Sequence, residues 1–598
     1  MSDAEQLEIR APFAGVVVAL PASAGDLVAA GAPVVVLEAM KMEHEVACER
    51  GARLVELTVA EGENVVEDQL LARAVAVEVA DAAQVPRSTG DAREDLQHVR
   101  ERHRIGLDQA RPQAVARRHA SGRRTARENL ADLIDEGSFV EYQPLIYAAQ
   151  ERRRTREELI ARTPADGLVG GIARIDGREC VVASYDYMVL AGTQGMRGHM
   201  KKDRLFELAA RRSLPVVLFA EGGGGRPGDA DMPIVAGLDC RAFEYFARLS
   251  GQAPLVGIAA GFCFAGNAAL LGCCDVVIAT EDVSIGMGGP AMIEGGGLGT
   301  FAPEEVGPID VHWASGVVDV RVADEAAAVE AARRYLGYFA GPLPAAEAGA
   351  DAPTLRELIP PERRRAYDVR AVIDGLCDRG SVMELRGGFD AGQAGHDARV
   401  EGRALGVIAN NPRHLGGAID ADGADKAARF MQLCDAFGLP VLMLCDTPGF
   451  MVGPESERTG TVRHFARMFL TGANLTVPVG TIVLRKGYGL GSQAMAAGGF
   501  KAPQFTVAWP TAEFGAMGLE GAVQLGLRRE LEAIDDEHER ERAYQAAVGA
   551  AYEHGRALNM AAHGEIDDVI DPADSRRWIA TLFDDAPARG RRPNVEAW

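Results

Sequence analysis

Residues 9–75 carry short apolar runs at 16–18, 34–37, 54–59 and 70–74, separated by glycines at 15, 25, 31, 51 and 62. Runs of that length between turn residues predict short strands, so the first module is expected to be all β. Its two halves echo each other: Ala24-Gly25-Asp26-Leu27-Val28 followed by 33–37 returns as Glu61-Gly62-Glu63-Asn64-Val65 followed by 69–72. Residues 78–92 lose the pattern and include Pro86, Ser88, Thr89 and Gly90, which predicts a flexible linker. Residues 93–130 are rich in Arg, Glu and His with helical potential, and most of their charges are expected on a solvated face.

The remainder repeats at long range. PVVLFA at 215–220, followed by four glycines at 222–225, returns as PVLMLC at 440–445, followed by Asp446-Thr447-Pro448-Gly449-Phe450. Pro254-Leu255 then opens a strand leading to Gly261 and Gly266, as Pro478-Val479 opens one leading to Gly487, Gly489 and Gly491. Strands alternating with helices predict right-handed β/α crossovers and largely parallel pairing. In one helix Ala427, Phe430, Met431, Cys434 and Phe437 share a face, with Asp425 as a candidate cap.

Composition narrows the classes. A chain of 598 residues exceeds one core. A net charge of −23 argues against a nucleic-acid surface, so an anionic ligand needs a local basic patch. Nine cysteines without a Cys-x-x-Cys pair indicate neither a zinc ribbon nor a disulfide framework, and no secretory pattern opens the chain, so a cytoplasmic protein is expected. Residues 255–274 carry no charge and are long enough to span a bilayer, but four glycines and Asn267 interrupt them. A buried strand, a glycine loop and a short packed helix are expected there instead of a membrane span.

The chemistry is expected in the glycine loops, where a strand feeding a helix leaves backbone N–H groups free to hold a negative oxygen. An enolate formed from a thioester needs such donors. Within the first module, Glu38-Ala39-Met40-Lys41-Met42-Glu43 places a lysine between the two echoing halves, at an expected hairpin tip.

That string and the module around it resemble the biotin carboxyl carrier domain, the biotinyl or lipoyl-like fold. Residues 95–590 resemble the carboxyltransferase component of acyl-CoA carboxylases. The likeness is strongest at Ala409-Asn410-Asn411-Pro412, KAARF at 426–430, Asp446-Thr447-Pro448-Gly449-Phe450, Arg485-Lys486-Gly487-Tyr488-Gly489 and AWPTAE at 508–513. The resemblance implies an all-β biotinyl domain at 5–77, a linker at 78–92, and duplicated crotonase-like β/α spiral domains at 93–343 for acyl-CoA and 344–598 for carboxybiotin. The family often has glycine where this chain has Ala265 and Leu490.

Carried onto this chain, the family's features imply biotin on Lys41 flanked by Met40 and Met42. They imply oxyanion donors at Ala265 and Gly266 with Gly223 and Gly224 nearby, and donors to the biotin ureido oxygen at Leu490 and Gly491 with Gly449 close by. Released carbon dioxide would be captured by the acyl α-carbon after the biotin ureido anion takes its proton. His312 and His464 are lesser candidates, while the basic cluster Arg197, Lys201, Lys202 and Arg204 is either a site for the CoA phosphates or a solvated helix face, with Arg226 able to anchor a loop or a phosphate. A hexamer with active sites across a dimer interface is implied. So are a biotin protein ligase and a separate biotin carboxylase subunit using ATP, Mg and bicarbonate. No membrane or nucleic-acid partner is expected and no metal site is assigned. A decarboxylase subunit of a membrane sodium pump and a noncatalytic carrier or scaffold are the alternatives. The acyl chain is not legible.

Overall fold

In the computed structural model, residues 5–77, 93–226, 228–229, 231, 239–583 and 594–598 are described. The linker expected at 78–92 lies outside them. The chain divides into two compact units, Met1–Glu101 and Arg102–Trp598.

The first unit holds two four-stranded sheets around a core that includes Val17, Val35, Leu37, Leu54 and Leu71. The sequence echo becomes an internal two-fold. Gly25 N–H donates to Leu54 O and Leu54 N–H to the Asp26 carbonyl, while Gly62 N–H donates to Val17 O and Val17 N–H to the Glu63 carbonyl. Both turns need a left-handed residue, and Gly25 (φ 100°) and Gly62 (φ 85°) supply it.

The second unit contains a seven-stranded and an eight-stranded sheet. In the first, the hairpin Leu168–Ile175 with Arg178–Tyr185 is antiparallel, and Val216–Phe219, Leu255–Ala259, Val276–Thr280 and Val320–Val322 continue it in parallel. In the second, the antiparallel hairpin Gln393–Val400 with Arg403–Asn410 is followed in parallel by Val441–Thr447, Val479–Tyr488, Phe505–Ala508 and Asp568–Val569. The order of elements is that of a duplicated β/α spiral. Each hairpin leads through a short turn, Leu190–Gly192 or Leu415–Gly417, into a 17-residue helix, Met196–Arg212 or Ala421–Phe437.

Residues 255–274 form the strand Leu255–Ala259, the short strand Phe262–Phe264 and the helix Gly266–Gly272, as the glycine pattern required. Among the described residues no helix is long and apolar enough to cross a membrane.

Two local expectations are corrected. The helix Ala421–Phe437 is capped by Asp420, which accepts from Gly423 N–H at 2.9 Å; Asp425 lies inside it and pairs with His464 and Arg467. The helix is also buried nearly all round, because it packs on its own sheet and on Thr461–Ala473, so the five apolar positions mark only part of its contact. Among the charges of 93–130, most of them expected on a solvated face, Arg118 is buried against Glu221.

Candidate active site

Ala39 pairs with Met42 across the hairpin formed by Pro33–Ala39 and Met42–Ala47, leaving a two-residue turn of Met40 (φ 53°) and Lys41 (φ 66°). Two left-handed residues make the turn whose twist matches a β-hairpin, and glycine is the usual occupant. Without it the turn is held by the paired strands, and the side chains stand in solvent: Met40 is 98% exposed and Met42 63%. The Lys41 side chain is exposed with them, where a modifying enzyme can reach it.

In the seven-stranded sheet two loops meet at the carboxyl ends of adjacent strands. After Val216–Phe219, Gly222 N–H donates to Phe262 O at 2.7 Å and Phe264 N–H returns to Gly222 O at 2.9 Å. A Cβ on Gly224 would stand 2.7 Å from Ala265 Cβ and 3.6 Å from Gly266 N, so only glycine lets the loops close. Three of the four nominated donors are engaged internally. Gly223 N–H donates to Ala191 O (3.1 Å), Gly224 N–H to Asn267 Oδ1 (3.1 Å) and Ala265 N–H to Gly286 O (2.8 Å). Among the described residues none accepts from the N–H of Gly266, which opens its helix, or of Gly225.

Ala265 caps that helix at φ 51° and ψ −120°, a conformation glycine adopts without cost and alanine does not.

The second sheet repeats the arrangement. A Cβ on Gly491 would lie 2.7 Å from Gly449 Cα and 3.1 Å from Phe450 N. Gly449 N–H donates to Thr447 Oγ1 at 3.1 Å, while Phe450 N–H and Leu490 N–H have no acceptor among the described residues. The left-handed residue at the helix start is Ala265, the N-cap, in one half and Gly489 (φ 59°), the first helical residue, in the other. The duplication therefore matches Gly266 to Leu490 and Gly225 to Phe450. Gly225 and Phe450 are not among the donors the sequence nominates; the register of the repeat, Gly224 with Gly449, is the signal that could have drawn attention to them.

Each cradle rests on a buried carboxylate one or a few residues before its loop. Glu221 is held by Arg118, and burial pushes its carboxyl upward against that guanidinium. Asp446, fully buried, accepts from Tyr367 Oη (2.8 Å), Arg485 Nε (3.1 Å) and Lys486 N–H (3.1 Å).

The basic cluster is corrected. Lys201 and Lys202 are fully buried, donating to Leu168 O and Gln194 Oε1, both at 2.6 Å, and burial lowers their ammonium groups to about 8 and about 7. As the helix lies, neither presents a cation to a phosphate. Arg197 remains at the surface, donating to Tyr147 O and Glu151. Arg226 anchors the glycine loop through Asp166 and Thr193. His312 Nε2 meets Ile285 O (2.7 Å) and His464 Nδ1 meets Asp425 (2.8 Å), so both are committed to structural bonds.

A carboxyl transferase domain model matches residues 117–592, and a model described as a biotin-requiring enzyme matches 7–73. The chain belongs to the carboxyl transferase family. It is a biotin-dependent carboxyltransferase with its own biotinyl domain. The methylmalonyl-CoA carboxyltransferase 12S subunit of Propionibacterium freudenreichii subsp. shermanii is 34% identical over 491 residues, 79% of this chain and 90% of that protein. Among solved structures, a single-chain, multi-domain long-chain acyl-CoA carboxylase is 53% identical at a TM-score of 0.79. The match covers 97% of this chain, which spans 56% of that carboxylase. The transcarboxylase 12S hexamer, with methylmalonyl-CoA and methylmalonic acid bound, is 30% identical at a TM-score of 0.73, with 87% of this chain and all of that one covered.

Proposed function

We propose that the carboxyltransferase moves a carboxyl group from a biotin on its own Lys41 to the α-carbon of an acyl-CoA thioester. The observation that carries the reading is the doubled cradle: two loop pairs, each closed by glycine and each leaving N–H groups with no acceptor among the described residues. Residues 93–343 hold the acyl-CoA side and 344–598 the biotin side, with 78–92 as tether. Gly266 and Gly225 receive the thioester oxygen as it becomes an enolate. One such preorganised donor is worth about 3 kcal/mol of transition-state stabilisation. Gly223, Gly224 and Ala265 shape that cradle. Gly449 and Gly491 shape the second, where Leu490 and Phe450 N–H groups hold the ureido oxygen.

Lys41 fits covalent attachment because its amine stands on an exposed tip with Met40 and Met42 beside it. Biotin, once bound, supplies the nitrogen that carries the carboxyl group. The chain's own contribution is position and electrostatics: with His312 and His464 engaged elsewhere, neither acts as base.

The copies assemble into a hexamer in which the acyl cradle of one faces the biotin cradle of its neighbour. Exposed Met287, Met292, Leu298 and Phe301 in the first half, and Val452, Val462, Leu490 and Met517 in the second, supply apolar surface for that contact. A biotin carboxylase charges the biotin with ATP and bicarbonate. The nine free cysteines suit the cytoplasm. The likeness to a long-chain enzyme favours long acyl chains. The test supplies a biotin carboxylase and measures carboxylation across acyl-CoAs from acetyl to long-chain, with Lys41→Arg alongside. Retention of full ATP-dependent activity by Lys41→Arg, with no added carrier, would sink the reading.

A further inference from the structure

In a chain of net charge −23, one cleft of about 610 Å³ on the acyl-CoA half is lined by arginines and by no carboxylate. Arg111, Arg117, Arg154 and Arg162 line it. Arg111 is spent on Asp186 and Asp108. The other three differ: among the described residues none of their side chains makes a hydrogen bond or ion pair, and all three are exposed. Exposed arginines in this protein are commonly paired, as Arg211 is with Glu207 and Arg356 with Asp571. Three unpaired guanidinium groups around one concavity repel one another, and a polyanion removes that cost.

The backbone adds to the field. The helix Pro112–Ala120 begins at the cleft, with Pro112, Gln113 and Ala114 in its wall, so the positive end of its dipole faces the same space.

The cleft also adjoins the acyl cradle. Its wall includes Met188 and Leu190, at the entry to the turn Leu190–Gly192. That turn braces the four-glycine loop, since Ala191 O accepts from Gly223 N–H and a Cβ on Gly192 would stand 2.5 Å from Glu221 O. A second cleft of about 560 Å³ shares Ala114, Arg117 and Met188 with the first and runs on to Glu221 and Gly261. The two clefts adjoin along these shared residues, the first reaching Arg154 and Arg162 and the second, which also has Glu304 in its wall, reaching the end of the strand that feeds the cradle.

We propose that Arg117, Arg154 and Arg162 bind the phosphate groups of the coenzyme A moiety, in place of the buried Lys201 and Lys202. The inference rests on the function proposed above for its choice of anion. Guanidinium forks suit phosphate oxygens, and their exposure lets them close on a ligand without breaking an internal pair.

The test is equilibrium binding to the full chain. Coenzyme A, 3′-dephospho-coenzyme A and an S-acyl-pantetheine, which has no phosphate, are titrated into wild type, each single alanine variant and the triple variant Arg117→Ala/Arg154→Ala/Arg162→Ala. Each single substitution should weaken coenzyme A about threefold and the triple about twentyfold, the range for exposed charge pairs. The loss should shrink at high salt. S-acyl-pantetheine should bind all variants equally. Unchanged coenzyme A affinity in the triple variant overturns the assignment, and so does an equal loss for the phosphate-free ligand. Because the readout needs no turnover, the two readings fail separately. A chain that binds coenzyme A through these arginines but carboxylates nothing refutes the proposed reaction and leaves the phosphate site standing.

Discussion

Gly491→Ala isolates the biotin cradle. The added Cβ would lie 2.7 Å from Gly449 Cα, 2.8 Å from Gly449 C and 3.1 Å from Phe450 N, all backbone atoms. No side chain can swing aside, so the loops must part by roughly 1 Å, a displacement that costs about a hundredfold in rate when it falls on a catalytic geometry. The donor calculation agrees, since one misaligned oxyanion donor costs about 3 kcal/mol, or a little over two powers of ten. Initial rates of ATP-dependent acyl-CoA carboxylation, with a biotin carboxylase in excess, should show kcat lowered about a hundredfold. KM for the acyl-CoA should stay within about twofold, because the acyl cradle is built on the other sheet. Overpacking should cost the fold about 1–3 kcal/mol, so a thermal melt must confirm that the variant is folded at the assay temperature. A folded Gly491→Ala enzyme with near-native kcat, or one that loses only KM, would refute the reasoning.

Three further outcomes follow from buried or strained groups. Asp446→Asn should cost about 3–5 kcal/mol, because it leaves Arg485 buried without its carboxylate; the urea midpoint of unfolding measures it. Ala265→Gly should stabilise the enzyme by about 1 kcal/mol by relieving the left-handed backbone, read as a higher melting temperature; a drop would mean the methyl packs more than it strains. Asp397 is fully buried with neither oxygen bonded among the described residues, and burial raises its carboxyl from 3.8 to about 8. The folded protein then keeps a proton that the unfolded chain releases above about pH 4. Stability should fall as pH rises from about 4 to 8, by up to about 1.4 kcal/mol per pH unit, and Asp397→Asn should lack that slope; parallel curves for the two proteins would contradict it.

The elements with local signatures were legible in the sequence. The lysine hairpin was, because strand length and spacing set its register. So was the duplication, because apolar strands followed by glycine survive as a pattern. The lysine pair was not. Lys201 and Lys202 sit among Arg197 and Arg204 on one helix, and nothing local distinguishes a surface ammonium from one buried by a hairpin many residues upstream. Of the nominated donors, Gly223, Gly224, Ala265 and Gly449 bond internally for a related reason, while among the described residues Gly266 and Leu490 do not. A glycine-rich loop announces that backbone N–H groups are accessible, but which of them is already used depends on Asn267, Gly286 and Ala191 arriving from other elements. The Asp425 cap failed because Asp420, one turn earlier, reaches the Gly423 N–H first.

The two halves also differ in how the duplicated fold supports its loops. Each places a buried carboxylate where its strand ends, Glu221 and Asp446, and each neutralises it from a different source. Glu221 takes Arg118 from a helix outside the repeat, whereas Asp446 takes Arg485 from the adjacent strand of its own sheet. Next to the cradle, the first half inserts Asn267, whose side chain ties down Gly224, and the second has Gly491, which lets the backbone of the opposite loop approach directly. In the first half a side chain fixes one N–H of the opposite loop; in the second the two backbones meet directly. The same strand, loop and helix therefore join their loops in two different ways, and the difference resides in the residues at 267 and 491 rather than in the glycines the halves share.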